Sequence, residues 1–544
     1  MKGGDILIEC LKAQGVSAIF GMPGTQNLQI YDSLLRRGSG VIDHYLVRHE
    51  YAATQMADGY ARATGKVGVA LTVPGPGASN ASTGILEAST DCSPVLLITG
   101  QSDSQFYSRD PNKMFHGLDQ MRFFEPITKY CAIARTVQDI PCVVEKAFSA
   151  MQSGRPGPTM LEFPMEVVTG ECEVEIPPPI YRKFTSQADL EEIGRAARTL
   201  EEAKYPILLA GSAVHRSDAR NELQRLAEKI NAPVAVTRCG KGVLPEDHPL
   251  ALQIIYGYPA QEAIQAADCT LAVGTRFTSI DTRNWSQEYP RPLIQIDEDH
   301  QEIGREYPCD IAVVGNLKAT LQALIEQMPA KENSWNKELK RINAAHSAQP
   351  ALPLLSEIRE LLPREGIISV DVHGIGYSTF AEYPVYDPKT FIYPNIGVAL
   401  GHAFPAALGA KIARPDLPVV CFSGDGGFLM GSPELATAIT YGIAVVTVIV
   451  NDGALSAIKR SQEKGFEGRT IDTNLVNPNF VDFALSFGAW AKRVEKIEDF
   501  RGILKEALDT NRPAIIEVAM QDRQKEIMDN IVWLQSEPLR KEYQ

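Results

Sequence analysis

With 544 residues, the chain is several times longer than the ~100–200 residues of a typical domain, which sets an expectation of about three domains. Hydrophobic residues make up 44% and charged residues 22%, the balance of a globular protein rather than of a long disordered one. The 67 acidic side chains outnumber 53 basic ones, for a net charge of −14 with no compensating basic patch, which argues against nucleic acid and anionic membrane surfaces as partners.

The opening MKGGDILIECLKAQG lacks the apolar core and small-residue cleavage site of a secretory signal, and Ile6, Ile8 and Leu11 fit a first helix. A strand over about 41–46 leads to Glu50 at the head of a helix. Ala53, Met56, Ala57, Tyr60 and Ala61 form its apolar stripe, and Gly59 permits close packing. Apolar runs at 67–73, 95–99, 206–210, 270–273, 293–296, 419–422 and 444–450 alternate with amphipathic segments. Continuous apolar strands separated by helices predict parallel sheets covered on both faces, an α/β protein of three doubly wound domains. The stretches 172–186 and 329–353 read as linkers and divide the chain into 1–180, 187–330 and 350–544. The most apolar stretch, 443–450, is far shorter than the ~20 residues needed to cross a bilayer. Nine scattered cysteines without a CxxC pair suggest buried free thiols in a cytoplasmic protein. The final stretch, 531–544, reads as either a lid or a surface tail.

Ligands bind beyond the carboxyl ends of the strands in open parallel sheets. The strand at 419–422 runs into Gly424-Asp425-Gly426-Gly427, whose glycines let a ligand approach the backbone N–H groups. A helix is expected next, with Ser432 as N-cap, Pro433 at its first position, Glu434 in its first turn and Gly442 beyond its end. The following strand delivers Asn451-Asp452, so Asp425 and Asp452, 27 residues apart, should sit on neighbouring strand ends. They are either turn aspartates that cap helices or two carboxylates joined by a hard cation such as Mg²⁺, and the paired motif favours the cation. Glu50 either favours its helix dipole or serves as a proton relay.

These residues carry a resemblance. GDG followed one βαβ unit later by Asn-Asp is similar to the Mg²⁺-diphosphate motif of thiamine-diphosphate enzymes, and RHEYAATQMADGYAR resembles their glutamate motif. GMPGTQN (21–27), VPGPGASN (73–80), SPVLLITGQ (93–101), GRPGPTMLEFP (154–164), VLPEDHPLAL (243–252), GTRF (274–277), IQIDEDHQEIG (294–304) and NIGVALGHAFPAALGAK (395–411) resemble acetolactate synthase relatives in the same order. The resemblance implies a pyrimidine-binding, a central and a diphosphate-binding domain. It makes Asp425, Asp452 and the carbonyl of Ala454 the metal ligands. Gly424, Gly426, Gly427 and the loop from Gly374 and Ile375 would hold the diphosphate, while Glu50 would bond the aminopyrimidine. Leu400 would wedge beneath the thiazolium, unless it is plain core, and Pro23, Gly24, Val398 and Leu455 would also touch the cofactor.

The same resemblance places Thr25 and Gln26 toward the reacting carbonyl. Phe115-His116-Gly117 stands where the synthases have Phe-Gln-Glu, so His116 and Gln120 (with Asp119) would line the pocket, or His116 is a surface loop residue. Ile458 replaces the glutamate by which a pyruvate decarboxylase protonates its product, and LSAIKRSQ lacks the synthases' tryptophan. The implied activity is decarboxylation of a 2-oxo acid, with pyruvate expected, and carboligation to a second carbonyl. The alternatives are a decarboxylase that releases aldehyde, and a regulatory subunit without chemistry. Arg276-Phe277 precede Thr278-Ser279 instead of an acidic pair, and no GxGxxG occurs, which leaves the central domain either an FAD site or a vestige. A homodimer or homotetramer is implied, with Glu50 facing Asp425 of the partner subunit.

Overall fold

The computed structural model describes residues 1–179, 187–331, 335–346 and 353–520; the stretch 531–544 lies outside them. Among the described residues, three six-stranded sheets follow one another along the chain, and every strand pairing is parallel. The first contains β1 (Ala18–Gly21), β2 (Asp43–Leu46), β3 (Gly68–Thr72), β4 (Val95–Gln101), β5 (Tyr130–Ile133) and β6 (Thr159–Pro164), in the order β2-β1-β3-β4-β6-β5. The second contains β7 (Pro206–Ala210), β8 (Val234–Val236), β9 (Ala251–Ile254), β10 (Cys269–Val273), β11 (Leu293–Asp297) and β12 (Ile311–Val314), in the order β12-β11-β10-β7-β8-β9. The third contains β13 (Ile367–Val370), β14 (Phe391–Ile392), β15 (Val419–Gly424), β16 (Val445–Asn451), β17 (Trp490–Val494) and β18 (Ala514–Ala519), in the order β14-β13-β15-β16-β18-β17.

The central strands β3, β4, β15 and β16 are buried along their whole length, as expected where helices cover both sheet faces. No helix among the described residues is long and apolar enough to cross a membrane. All nine cysteines are free. Cys10, Cys92, Cys269 and Cys421 are buried as expected, but Cys142 is exposed and the other four are half-buried.

Two local readings are corrected. Residues 335–346, read as part of a linker, form the helix Trp335–His346. Trp335, Leu339 and Ile342 recur at helical spacing and are buried in the core of the second sheet, and the Trp335 indole donates to the Pro206 carbonyl at 2.8 Å. The helical turn after β15 begins at Asp425 rather than at Ser432. Helix Asp425–Gly431 passes through the 3₁₀ turn Ser432–Glu434 into helix Leu435–Tyr441. The Ser432 hydroxyl donates back to the Leu429 carbonyl (3.0 Å) at the end of the preceding helix instead of capping the start of the next, while Gly442 ends the helix at φ +62° as expected.

The contact that matters most for the site joins the first and third sheets. Helix Glu50–Thr64 crosses helix Ala403–Ala413 backbone to backbone. A Cβ on Gly59 would lie 2.0 Å from the Ala406 carbonyl oxygen, and one on Gly409 would lie 1.9 Å from that of Met56. Gly59 therefore serves close packing, as the sequence suggests, but against a helix almost 350 residues away in the chain. Ala53, Met56, Ala57 and Tyr60 share one buried cluster with Phe404, Ala407 and Leu408.

Candidate active site

The carboxyl edge of the first sheet gathers Glu50 with two turns. His49 caps the helix through its Nδ1, which accepts from Tyr51 N (3.1 Å), and Glu50 follows in the first turn, where the helix dipole favours an acid. The Glu50 side chain is buried. Asn80 Nδ2 donates to its Oε2 at 3.0 Å, and a Cβ on Gly77 would lie 3.1 Å from its Oε1. Gly75, at φ +61°, lies so close to the main chain of His116 that a Cβ would come within 2.7 Å. The VPGPG turn thus brings Glu50 and His116 to one corner. His116 itself has φ +57°, stacks on Phe115 (4.0 Å between ring centroids) and keeps a buried Nδ1 without a hydrogen-bond partner among the described residues.

Thr25 and Gln26 follow β1 in a 3₁₀ turn. Asn27 closes it by accepting from Gly24 N (2.8 Å) and donating to the Met22 carbonyl (3.2 Å), with Pro23 exposed at its edge. The two residues line a cavity of about 690 Å³ together with Ser102, Arg109, Phe115 and Met165. Gln26 is buried and its Oε1 has no partner among the described residues. Gln120, expected to line the pocket, is instead fully engaged below it. Its Oε1 accepts from the Thr99 hydroxyl (2.8 Å), and its Nε2 donates to the Gly100 carbonyl (3.2 Å) and to Glu162 (3.1 Å). Burial pushes the Glu162 carboxyl up to about 7, against the hydrogen bonds from Gln101, Gln120 and Tyr107. Glu162 was not singled out from the sequence, where an acid inside an apolar strand is the visible signal.

The third sheet builds the second corner. Asp425 Oδ1 accepts from Gly426 N (2.9 Å), and Oδ2 accepts from Gly453 N (2.9 Å) and Asn477 Nδ2 (2.6 Å). Asp452 Oδ1 accepts from Ala454 N (3.2 Å), and its Oδ2 from the Ser456 hydroxyl. Burial, reinforced by the charge of Asp452, pushes the Asp425 carboxyl up to about 6. Ala454 faces Asn474 in an antiparallel bridge whose two hydrogen bonds run from Leu455 N to the Thr473 carbonyl and from Leu475 N to the Gly453 carbonyl. That pattern leaves the Ala454 carbonyl outside the bridge. The sequence reading missed Asn477, which also bonds Asn451 (3.0 Å); it lies far enough along the chain that only folding reveals it.

Gly374 and Ile375 follow β13 and are buried. His373 fills the space beside them: a Cβ on Gly424 would meet it at 2.8 Å and one on Gly376 at 2.7 Å. A Cβ on Gly427 would lie 3.0 Å from the carboxylate of Asp371, another residue the sequence reading missed. Asp371 is buried, accepts from Val372 N (2.7 Å), Gly401 N (3.1 Å) and the Ser423 hydroxyl (3.2 Å), and so ties β13 to β15 and to the loop of Leu400. Val398 and Leu400 are half-buried on that loop. Contacts within the chain also join the first and third domains beside these corners. Glu434 Oε1 accepts from Arg48 N (2.9 Å) and His49 N (3.1 Å), and the Tyr51 hydroxyl donates to the Leu400 carbonyl (2.6 Å). In the central domain Arg276 donates to the Thr90 carbonyl (2.8 Å) and pairs with Glu302 (3.5 Å).

Comparison with known proteins agrees with this architecture. The chain matches the thiamine pyrophosphate enzyme N-terminal TPP binding domain over residues 1–123, the central domain over 193–324 and the C-terminal TPP binding domain over 374–518. It is 36% identical to a probable acetolactate synthase large subunit of Methanocaldococcus jannaschii, over 96% of this chain and 92% of that one. It is 33% identical to the acetolactate synthase large subunit of Buchnera aphidicola (92% and 90% covered) and 31% identical to acetolactate synthase isozyme 3 large subunit of Escherichia coli (96% and 95%). The chain therefore belongs to the thiamine pyrophosphate enzyme family, among the relatives of acetolactate synthase large subunits.

Proposed function

We propose that this chain is a thiamine-diphosphate- and Mg²⁺-dependent enzyme that decarboxylates a 2-oxo acid, pyruvate above all, and ligates the remaining fragment to a second carbonyl. The observation that carries it is the corner of Asp425 and Asp452. A buried carboxylate whose neighbour's charge raises it further is an unfavourable arrangement until a cation neutralises both. The donors on hand are all oxygens (two carboxylates and the Ala454 carbonyl), the set that suits a hard divalent ion with positions left for phosphate oxygens. The glycines at 424, 426 and 427, whose Cβ positions would run into His373, Leu455 and Asp371, keep the turn tight beside this corner, in the place where a diphosphate would be held with Gly374 and Ile375.

Thiamine diphosphate, when bound, supplies the carbon nucleophile and the electron sink for decarboxylation. Glu50, oriented by Asn80, would hold and return a proton at the aminopyrimidine end. Leu400 and Val398 would shape the seat of the cofactor, with Pro23, Gly24 and Leu455 at its edges. Thr25, Gln26 and His116 would face the substrate, and the free Oε1 of Gln26 would accept a hydrogen bond there. Gln120 acts from beneath, by holding the end of β4. The helix Ser456–Gly465 presents Ile458, exposed, where an aldehyde-releasing enzyme would need an acid, and this favours ligation. A homodimer or homotetramer that places Glu50 opposite Asp425 of the partner subunit completes the reading.

Calorimetry of the full chain with thiamine diphosphate and MgCl₂, followed by product analysis with pyruvate, tests it. Binding heat and acetolactate are expected. Acetaldehyde in place of acetolactate would select the simple decarboxylase, and absence of heat would refute the cofactor itself. Sedimentation of the active species decides the assembly.

A further inference from the structure

The segment 395–402 connects β14 to helix Ala403–Ala413 and carries Val398 and Leu400. Val398 is β-branched yet has φ +52°, a backbone region that such residues avoid and that persists only when the surroundings impose it. The imposing contacts come mostly from the N-terminal domain. Asp91 Oδ2 accepts from both the backbone and the side-chain nitrogen of Asn395 (2.9 and 3.1 Å). Glu87 Oε2 accepts from Ala399 N (3.2 Å), and a Cβ on Gly397 would lie 2.4 Å from the same oxygen. One carboxyl oxygen therefore brackets the strained residue on both sides. The Tyr51 hydroxyl holds the Leu400 carbonyl, and the His402 ring pairs with Asp58 (2.9 Å).

Glu87 projects from helix Ser82–Asp91 and is fully buried. The charged groups around it are Asp91, Arg62 and Asp58. Arg62 pairs closely with Asp91 (2.8 Å) and Asp58 (2.7 Å) but reaches Glu87 only at 3.9 Å, so its charge is spent on the two aspartates. Burial, and then the charge of Asp91, push the Glu87 carboxyl far above the carboxylate range. Among the described residues Glu87 Oε1 has no hydrogen-bond partner, which a neutral carboxyl tolerates better than a charged one.

We propose that Glu87, assisted by Tyr51, is a positioning residue that locks the segment 395–402 and thereby sets Leu400 under the cofactor. This rests on the thiamine-diphosphate reading for its consequence in catalysis, though not for the lock itself. A neutral group that accepts from Ala399 N is all the lock requires, so glutamine replaces glutamate and alanine does not.

Hydrogen exchange of the full chain without cofactor reads the lock directly. Glu87→Ala raises exchange across 395–402 by roughly tenfold or more while β7 keeps its protection, Glu87→Gln stays within about threefold of the parent, and Tyr51→Phe falls between them. With thiamine diphosphate and MgCl₂ added, Glu87→Ala lowers kcat roughly tenfold with a smaller change in KM, and alters the near-ultraviolet circular dichroism of the bound cofactor. Exchange across 395–402 within about twofold of the parent in Glu87→Ala overturns the proposal. Should that variant not fold, unchanged exchange and kcat in Tyr51→Phe overturn it. If the parent shows no heat and no spectral change with the cofactor, the functional reading fails, and the exchange comparison still decides the lock.

Discussion

The first and third sheets share one strand order, so each strand end in one has a counterpart in the other. Helix Glu50–Thr64 after β2 corresponds to Ala403–Ala413 after β14, and the two cross with reciprocal glycine contacts, Gly59 on Ala406 and Gly409 on Met56. Thr99 of β4 pairs with Glu162 of β6 as Ile449 of β16 pairs with Glu517 of β18, and Asn451 donates to Glu517 at 2.7 Å. The difference lies in the turns. After β3 comes Gly75-Pro76-Gly77, which leads to Asn80 and supports the carboxyl of Glu50. At the end of β15 comes Gly424-Asp425-Gly426, which puts a carboxylate into the turn itself, beside the charge of Asp452, the residue just after β16. On the proposed reading, one scaffold would serve a proton at one copy and a cation at the other, with the chemistry residing in a few grafted residues rather than in the topology.

That division of labour can be broken by substitution. Asp425→Asn or Asp452→Asn should remove the binding heat of thiamine diphosphate in Mg²⁺ and lower turnover about 100-fold or more, since even outer partners of a metal are worth ~10–100-fold. Glu50→Gln should leave that heat nearly intact and lower turnover by roughly 100-fold, the range of a lost proton-transfer group. Equal loss of binding in both would erase the distinction between the two sheets.

Gly59→Val tests the crossing that joins them. Overpacking against the Ala406 carbonyl should cost about 1–3 kcal/mol, or more, in urea unfolding. Asn477→Ala, which frees one bond to Asp425, should raise the Mg²⁺ concentration for half-activation about tenfold while leaving Glu50 chemistry untouched.

The smallest effect concerns Glu162. Its folded carboxyl titrates near 7, above the ordinary glutamate value near 4.5, so the native state holds the proton more tightly than the unfolded chain. Its contribution to stability is therefore fully present below about pH 4.5 and lost as pH rises through about 7. Glu162→Gln should flatten this slope and leave the protein relatively more stable at pH 8, as measured by denaturant unfolding at both ends of the range.

Much of the fold could be read locally. The runs at 206–210 and 95–99 became β7 and the start of β4, because strands covered on both faces must be apolar throughout. Glu50 at a helix head, Gly442 beyond a helix end and Asp425 at a strand end are likewise matters of neighbouring residues. The helix Trp335–His346 escaped notice because its polar flanks outweighed a stripe of three apolar side chains. Gln120 was legible as a polar residue near a pocket, but its burial against Thr99 and Glu162 was not.

The sequence by itself determined the three α/β layers, the order of the turns and the types of residue at each strand end, since periodicity, capping and turn chemistry act over a few residues. Only the tertiary structure decided that Asn477 would reach Asp425, that Asp371 and Glu87 would hold the loop of Leu400, and that Gly59 would meet Ala406. Those contacts join segments up to about 350 residues apart in the chain, and they exist because buried polar groups must find partners wherever packing brings them together.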